Sequence, residues 1–594
     1  MTDQANFILR KIDDQKKKMI VESSENLVVT ACPGSGKTRV LTYKLAYMAA
    51  LYPNSQRRIV AITYTNRAAE EIKERLDLFD IDKGAIWAGT IHQFCLEFIV
   101  RPYALLSPRL SKGFKIIDEY VREQYLQEIA KHLRVDVKPY EFSKIITART
   151  HEMKVQEQNY PDIVKSYHKL LKDKKEIDFD LILNAAYHIL TANPVAAENI
   201  SRMMRSVYVD EYQDTNEMQY RIIAALARAN PGTQLMFVGD VDQAIYGTLG
   251  GIAKSVDDIQ ELTGLSFTSE TLDGCYRSTQ RIIDYYTHYQ SVQYQVQSKS
   301  CDAYKPSIVS LNTSIPKDEL PERIAALISS KLSEGIPQEE ICVIAPQWRP
   351  LYSLSKKLRE LLPAVSFDAP DISPIKADDL NVFYLLAKLI FTTPGEKVRR
   401  RKRIASEVIM KLSSEYAVML SDYVDSYWIL KTINSVRPQS DNGVEHFCNV
   451  VDHLFQKCEI EESSFPVLFD TYSNFIEKIK DRISKHGLDF SICAFCKNFS
   501  ERSGVVIATC HKIKGEEYNT VIAFGLLEGF IPHWEVIFNT DDRGESEAEK
   551  LLYVIASRAK ESLYLFSESG RVTNSGKPYQ TTNVLRDYRY TYDD

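Results

Sequence analysis

Several things are scarce in this sequence, and each scarcity excludes something. No run of about 18 consecutive apolar residues occurs, so nothing reads as a membrane span. Basic charge is not in excess: 74 Lys and Arg stand against 80 Asp and Glu, a net −6. Any nucleic acid must then be held in a local groove, not by the charge of the whole chain. The ten cysteines are scattered through 594 residues, the usage expected of reduced thiols. Cys493 and Cys496 form a lone C-x-x-C, with His446, Cys448, His453 and Cys458 upstream. Two cysteines one helical turn apart in a core is the preferred reading over a zinc site. Met1 to Lys18 is too polar for a secretion signal, which points to an intracellular, cytoplasmic protein. No period of roughly 20–50 residues recurs, which excludes a solenoid.

What is present is ordinary globular composition, 44% hydrophobic and 26% charged, over a length that implies several domains. Apolar runs at Leu27–Val29, Ile59–Ile62, Val207–Val209 and Leu235–Val238 alternate with helical patterns. A second set lies at Ile341–Ala345, Val505–Ala508, Val521–Phe524 and Leu563–Phe566. Short buried runs separated by helices predict two parallel sheets, hence an α/β protein with two such domains. From about Arg101 to Lys175 and from about Pro394 to Ser503 the pattern is helical only, which reads as two insertions. The tail after about Gly570 reads as loose.

The chemistry centres on Ala31 to Thr38, A-C-P-G-S-G-K-T. An apolar run, a glycine turn, Lys-Thr and a helix make a phosphate cradle: backbone N–H groups converge, Lys37 reaches the β/γ-phosphates, and the Thr38 hydroxyl ligates Mg²⁺. Ala31 stands where the strict pattern has Gly. Val209 to Thr215 brings Asp210 and Glu211 to a strand end, where one carboxylate can hold Mg²⁺ and its neighbour can take a proton from water. Val238 to Tyr246 ends another strand in a polar turn, with Gln243 suited to sense a γ-phosphate and Tyr246 to meet a base. Arg277 and Arg558 are candidates for stabilising transition-state charge.

In order, these stations resemble the superfamily 1A DNA helicases of the UvrD/Rep/PcrA family. The matching stretches are Ala31–Thr38, Ala61–Leu76, Gly89–Cys95, Val209–Asn216, Val238–Tyr246, Tyr276–Thr279, Thr509–Tyr518 and Leu552–Lys560, with Asp178–Asp180 and Gly529–His533 as further landmarks. The resemblance implies two RecA-like parallel-sheet motor domains, each with a mainly helical insertion. The first motor domain would take residues 1–100 and 178–275, with an insertion at 101–177. The second would take 276–394 and 503–594, with a short insertion at 395–502.

It also implies roles. Gln15 resembles the glutamine that reads adenine, and Tyr276 the aromatic that stacks on it. Ala31, Cys32, Pro33, Gly34, Ser35, Gly36, Lys37, Thr38 and Arg39 would bind the nucleotide, with Glu517 near the ribose or γ-phosphate. Lys37, Thr38, Asp210, Glu211, Gln243, Arg277 and Arg558 would be the catalytic set, and Thr38 and Asp210 the Mg²⁺ ligands. Tyr64, Thr65, Asn66, Thr90, His92, Tyr246, Thr509 and His511 would line a single-strand track, which suits phosphate contacts plus base stacking. The implied activity is ATP-dependent 3′–5′ movement on single-stranded DNA and at single–double strand junctions, in repair, recombination or anti-phage defence. The alternative is an ATP-gated regulatory subunit of a nuclease complex, since short relatives accompany an ATPase–nuclease in Gabija-type systems. No nuclease constellation is visible in the chain itself.

Departures qualify the likeness. Thr248 and Leu249 stand where the family has an aromatic and an arginine, Cys275 where it often has Asn, and Glu549 where an arginine is typical. The second insertion lacks a glycine signature for duplex binding, which predicts weak unwinding of long duplex by the chain alone. Arg399 to Arg403 is the strongest basic run; a solvated helix face is the preferred reading, and a DNA backbone contact the other.

Overall fold

A computed structural model of the chain describes residues 2–79, 81, 84–138, 141–142, 145, 160–247, 250–369, 373–499, 504–540, 542, 544–573 and 575–593. Thr248 and Leu249 therefore lie outside the described residues. The chain divides into two compact units, one of residues 1–277 and 291–301, the other of residues 278–290 and 302–594.

The first unit is built on a six-stranded parallel sheet in the order Ile86–Thr90, Arg58–Thr63, Met204–Asp210, Gln234–Gly239, Leu27–Ala31, Thr268–Leu272. Side chains alternate along each strand, so consecutive residues feed opposite cores. Val28, Val60, Val207, Val209 and Phe237 pack on one side, while Leu27, Val29, Ile59, Tyr208 and Met236 pack on the other. Both faces are covered, as an all-parallel sheet requires. Between this sheet's third and fourth strands in chain order, the described segment is helical, apart from Lys115–Ile116 pairing with Glu176–Ile177.

The second unit repeats the plan with the order Ile308–Asn312, Ala559–Phe566, Tyr518–Ala523, Ile341–Ala345, Val505–Thr509, Phe367–Asp368, again parallel throughout. The helices from Val382–Ile390 to Ile492–Phe499 pack around one aromatic core including Phe383, Phe391, Phe447 and Phe495, so this helical cluster begins before residue 395, where the sequence placed the start of the insertion. Within the basic run Arg401 is buried. It donates to the Thr392 carbonyl at 2.7 Å and to Asn434 Oδ1 at 3.1 Å. Arg399 and Lys402 remain on the outer face of the same helix, Val398–Tyr416. The run is thus divided between packing and surface.

The expectation of a loose tail is wrong. Thr581 bridges Leu527, and Asn583–Asp587 forms a helical turn. Tyr588 then stacks on His288 at 3.6 Å, and the Asp593 backbone and carboxylate both bond Val309, each at 2.8 Å. Alternating tyrosines Tyr588, Tyr590 and Tyr592 close around Tyr285. Polar residues before Thr581 disguise this aromatic anchor in the sequence.

Candidate active site

Ala31 is the last residue of its strand, paired with Leu272, and Cys32 N–H continues the pairing to the Leu272 carbonyl at 3.0 Å. An alanine fits there because the chain is still extended. The turn comes later, at Gly34 (φ 72°) and Gly36 (φ 85°). Gly34 is also crowded: a Cβ would sit 2.7 Å from Arg277 Cβ and 2.9 Å from Cys275 Sγ. Its carbonyl accepts Tyr276 N–H at 2.9 Å, so the phosphate loop and Tyr276–Arg277 are held as one piece.

Gly36 precedes the helix Lys37–Leu51 and offers no side-chain cap, which leaves the first helical N–H groups to an anion. Ser35 Oγ is buried with no hydrogen-bond partner, as a loop built for phosphate oxygens would leave it.

Lys37 Nζ lies 3.0 Å from Glu211 Oε2, and Gln213 Nε2 donates to the same oxygen at 2.6 Å. Glu211 is in the left-handed region (φ 50°), a strained conformation that turns the chain sharply after Asp210 at the strand end. Gln213 Oε1 accepts Asp240 N–H at 3.1 Å, and Gln243 Nε2 donates to Asp240 Oδ2 at 2.6 Å. Gly239 makes room for this, since a Cβ there would sit 2.1 Å from Gln213 Oε1.

The charges are strongly perturbed. Burial raises the Asp210 carboxyl, and neighbouring Glu211 raises it further. Burial takes Asp240 up to about 6. Burial opposes the Lys37 ammonium, but Glu211, Asp240 and Asp210 outweigh it and the group is raised overall. Three carboxylates around one buried lysine are the arrangement expected where a multiply charged anion and a cation are to be exchanged in.

Tyr276 is 44% exposed, and its hydroxyl bonds Asp14 at 3.1 Å. Lys17 Nζ lies 3.9 Å over its ring. Gln15 is exposed in the first turn of the helix Gln15–Glu22, and Arg39 is exposed with its guanidinium on Tyr43 Oη at 3.2 Å. Sequence reasoning passed over Lys17, Gln213 and Asp240. Gln213 and Asp240 were legible from their place in D-E-Y-Q-D and G-D-V-D-Q. Lys17 carried no signal beyond its charge.

Tyr64 and Tyr246 come together, with ring centroids 4.8 Å apart. Thr65 and Thr90 cap helices, accepting Ala68 N–H at 3.2 Å and Gln93 N–H at 3.4 Å. Asn66 Oδ1 is buried without a partner. His92 sits edge-on to Phe179 at 5.6 Å, and burial lowers its ring to about 4.

In the second unit, Arg558 is 1% exposed. It donates to the carbonyls of Val554 and Glu516 at 3.1 and 3.3 Å, and to Ser557 Oγ at 2.9 Å. Glu517 meets Lys560 at 3.5 Å. Thr509 ends the strand Val505–Thr509, and His511 follows Cys510, whose thiol burial pushes up to about 12.

The UvrD/REP helicase N-terminal domain matches residues 12–261 and the UvrD-like helicase C-terminal domain matches residues 495–570. The chain belongs to the UvrD/REP helicase family. Its enzyme class is accordingly that of DNA-dependent ATPases and helicases. Among relatives of this helicase is the ATP-dependent DNA helicase PcrA of Staphylococcus epidermidis, 25% identical over 641 aligned positions that cover 96% of this chain and 84% of that protein. PcrA of Staphylococcus aureus is 24% identical over 653 positions with the same coverage. Among the described residues of this helicase, no helix is long and apolar enough to cross a membrane.

Proposed function

We propose that this helicase hydrolyses ATP in response to single-stranded DNA and moves along it 3′ to 5′. The observation that carries this reading is one unbroken path of contacts. It runs from Lys37 to Glu211, through Gln213 to Asp240, and ends at Gln243; the Tyr64–Tyr246 ring pair lies three residues further along the chain. The aromatic pair is suited to stack a base, and the contacts that end at Gln243 bring the phosphate loop's partners into the segment that carries Tyr246.

Lys37 neutralises Glu211. A triphosphate competes for the ammonium; once Lys37 turns to the phosphates, Glu211 is free to take a proton from the attacking water. Thr38 and the buried carboxylate Asp210 are the residues fit to hold Mg²⁺, which when bound neutralises phosphate charge. Tyr276 offers its ring to the base, Gln15 and Glu517 are the proposed polar contacts to base and ribose, and Arg277 and Arg558 the proposed stabilisers of transition-state charge. Tyr64, Thr65, Asn66, Thr90, His92, Tyr246, Thr509 and His511 are the proposed strand contacts.

Steady-state ATP turnover with and without single-stranded DNA tests the motor. Stimulation of ten-fold or more is the outcome expected of DNA-coupled hydrolysis, taken as about 1.4 kcal/mol off the barrier. Nucleotide binding with no stimulated turnover would instead make the chain an ATP-gated regulatory subunit. Unwinding of 3′-tailed but not 5′-tailed duplex tests the direction. Affinity purification from the native host separates a repair assembly from a defence assembly.

A further inference from the structure

Lys17 lies in the first turn of the helix Gln15–Glu22, yet it is only 8% exposed. Its ammonium sits 3.9 Å over the Tyr276 ring. It also comes close to the phosphate loop: a Cβ at Gly36 would stand 3.5 Å from Lys17 Nζ and 3.8 Å from Arg39 Cβ. One side chain thus spans from the aromatic ring to the turn that opens the helix Lys37–Leu51.

Both ends of this span are fixed. Asp14 Oδ1 accepts Lys17 N–H at 3.1 Å, and Asp14 Oδ2 accepts the Tyr276 hydroxyl at 3.1 Å, so one carboxylate joins the start of the helix to the ring. Tyr276 N–H donates to the Gly34 carbonyl at 2.9 Å, which joins the ring to the loop. Each Asp14 oxygen therefore has a partner other than the ammonium. Among the described residues no carboxylate forms an ion pair with Lys17.

Packing does not call for a lysine here. A methionine would cover the ring without enclosing a charge, and burial does oppose this charge, as the largest influence on the Lys17 ammonium. Asp14 offsets it in part, while Arg39 adds repulsion. The ring face supplies only a modest attraction. Two cationic side chains thus meet beside a turn whose helix start carries N–H groups with no side-chain cap. Positive groups gathered on one turn are complementary to an anion.

We propose that Lys17 is a second phosphate-binding cation of the ATP site: its ammonium, held between the Tyr276 ring and Gly36, pairs with the part of the phosphate chain nearest the base, while Lys37 takes the β/γ end. This rests on the assignment of the phosphate loop to ATP. The division follows from the order of residues along the site. Tyr276 is the proposed seat of the base and Lys37 that of the terminal phosphates, and Lys17 reaches the stretch between them. A lysine suits the task, because a compact charge on a flexible stem can exchange a ring face for a phosphate oxygen. Lys17 then sets affinity for the phosphate chain and not for the base.

The test is Lys17→Met in the full chain, which keeps the stem and removes the charge. Affinities for ATP, inorganic tripolyphosphate and adenosine are measured by competition against a fluorescent ATP analogue. ATP and tripolyphosphate are each expected to bind about ten-fold more weakly than to the wild type, the worth of one hydrogen bond to a charged group. Adenosine, which has the base and ribose but no phosphate, is expected to bind within about two-fold of wild type. Tripolyphosphate affinity within about two-fold of wild type overturns the proposal, and so does an adenosine affinity that falls as far as that of ATP. If Lys17→Met does not fold, Lys17→Gln decides on the same measurements. Wild-type protein that binds neither ATP nor tripolyphosphate overturns the ATP-site assignment itself, a failure recognised before any variant is made.

Discussion

Lys37 Nζ stands 3.0 Å from Glu211 Oε2, so the lysine proposed for phosphate and the carboxylate proposed for the proton are paired to each other. The pair is nearly enclosed, with side-chain exposures of 10% and 19%. It keeps a buried ammonium and a buried carboxylate from standing uncompensated. If Glu211 is the base proposed, the same pairing ties proton abstraction to the release of Lys37.

Removing each partner should therefore fail differently. Glu211→Gln frees Lys37 while keeping the side-chain shape, so ATP affinity is expected to hold or improve while turnover falls by about 100-fold or more, the worth of a general base. Lys37→Ala is expected to lose nucleotide affinity itself. Equilibrium binding and single-turnover hydrolysis separate the two; a Glu211→Gln enzyme with wild-type turnover would remove Glu211 from the role.

Gly34→Ala should be severe for two reasons, a left-handed backbone and a Cβ 2.7 Å from Arg277 Cβ. A cost of about 1–3 kcal/mol from backbone strain alone is expected, with the collision added. Gly335 is the comparison. It also has positive φ (87°), but a Cβ there meets nothing within 4 Å. Gly335→Ala is expected to lower stability by the backbone term only and leave ATP binding intact. Urea titration and nucleotide affinity of both variants check this.

The basic run divides the same way. Arg401→Ala strands the Thr392 carbonyl and Asn434 Oδ1. A loss of about 1–3 kcal/mol in stability is expected. Arg399→Ala and Lys402→Ala are expected to leave stability within about 0.5 kcal/mol, as surface changes do. If their side chains neutralise phosphates, each lowers the slope of log affinity against log salt by roughly 0.7–0.9. Unchanged slopes would leave the run as a solvated helix face.

His92 gives a pH dependence. Its folded value, about 4, lies below the ordinary 6.5 because burial disfavours the charged ring. Between those values the unfolded chain binds the extra proton and the folded chain does not. Stability is then full above pH 6.5 and falls as pH drops towards 4. Denaturation midpoints at pH 7 and pH 5 are expected to differ less in His92→Gln than in the wild type.

The tail supplies the last test. Tyr588→Ala removes a ring stacked on His288 at 3.6 Å and packed against Tyr285 and Tyr289. Aromatic pairs of this kind carry about 0.5–1.5 kcal/mol beyond buried area. A lower melting temperature is expected; an unchanged one would show that the anchor lies in Asp593 and its bonds to Arg281 and Val309 alone.

Within the two six-stranded sheets, the eight runs read as strands are the eight central strands, and the four passed over are the edges: Ile86–Thr90, Thr268–Leu272, Ile308–Asn312 and Phe367–Asp368. The reason is physical. A central strand of a parallel sheet is buried on both faces and must be apolar nearly throughout, whereas T-S-E-T-L at an edge keeps two exposed residues and pairs on one side only. The glycine turn and Lys-Thr of the phosphate loop were likewise written locally, because backbone conformation and helix start are short-range properties. What residues chosen 174 positions apart do to each other is not a local property. The Lys37–Glu211 pair and the Gln213–Asp240–Gln243 bonds depend on which strand ends lie side by side, and the burial of Arg401 on which helices pack around it; only the tertiary fold decides either.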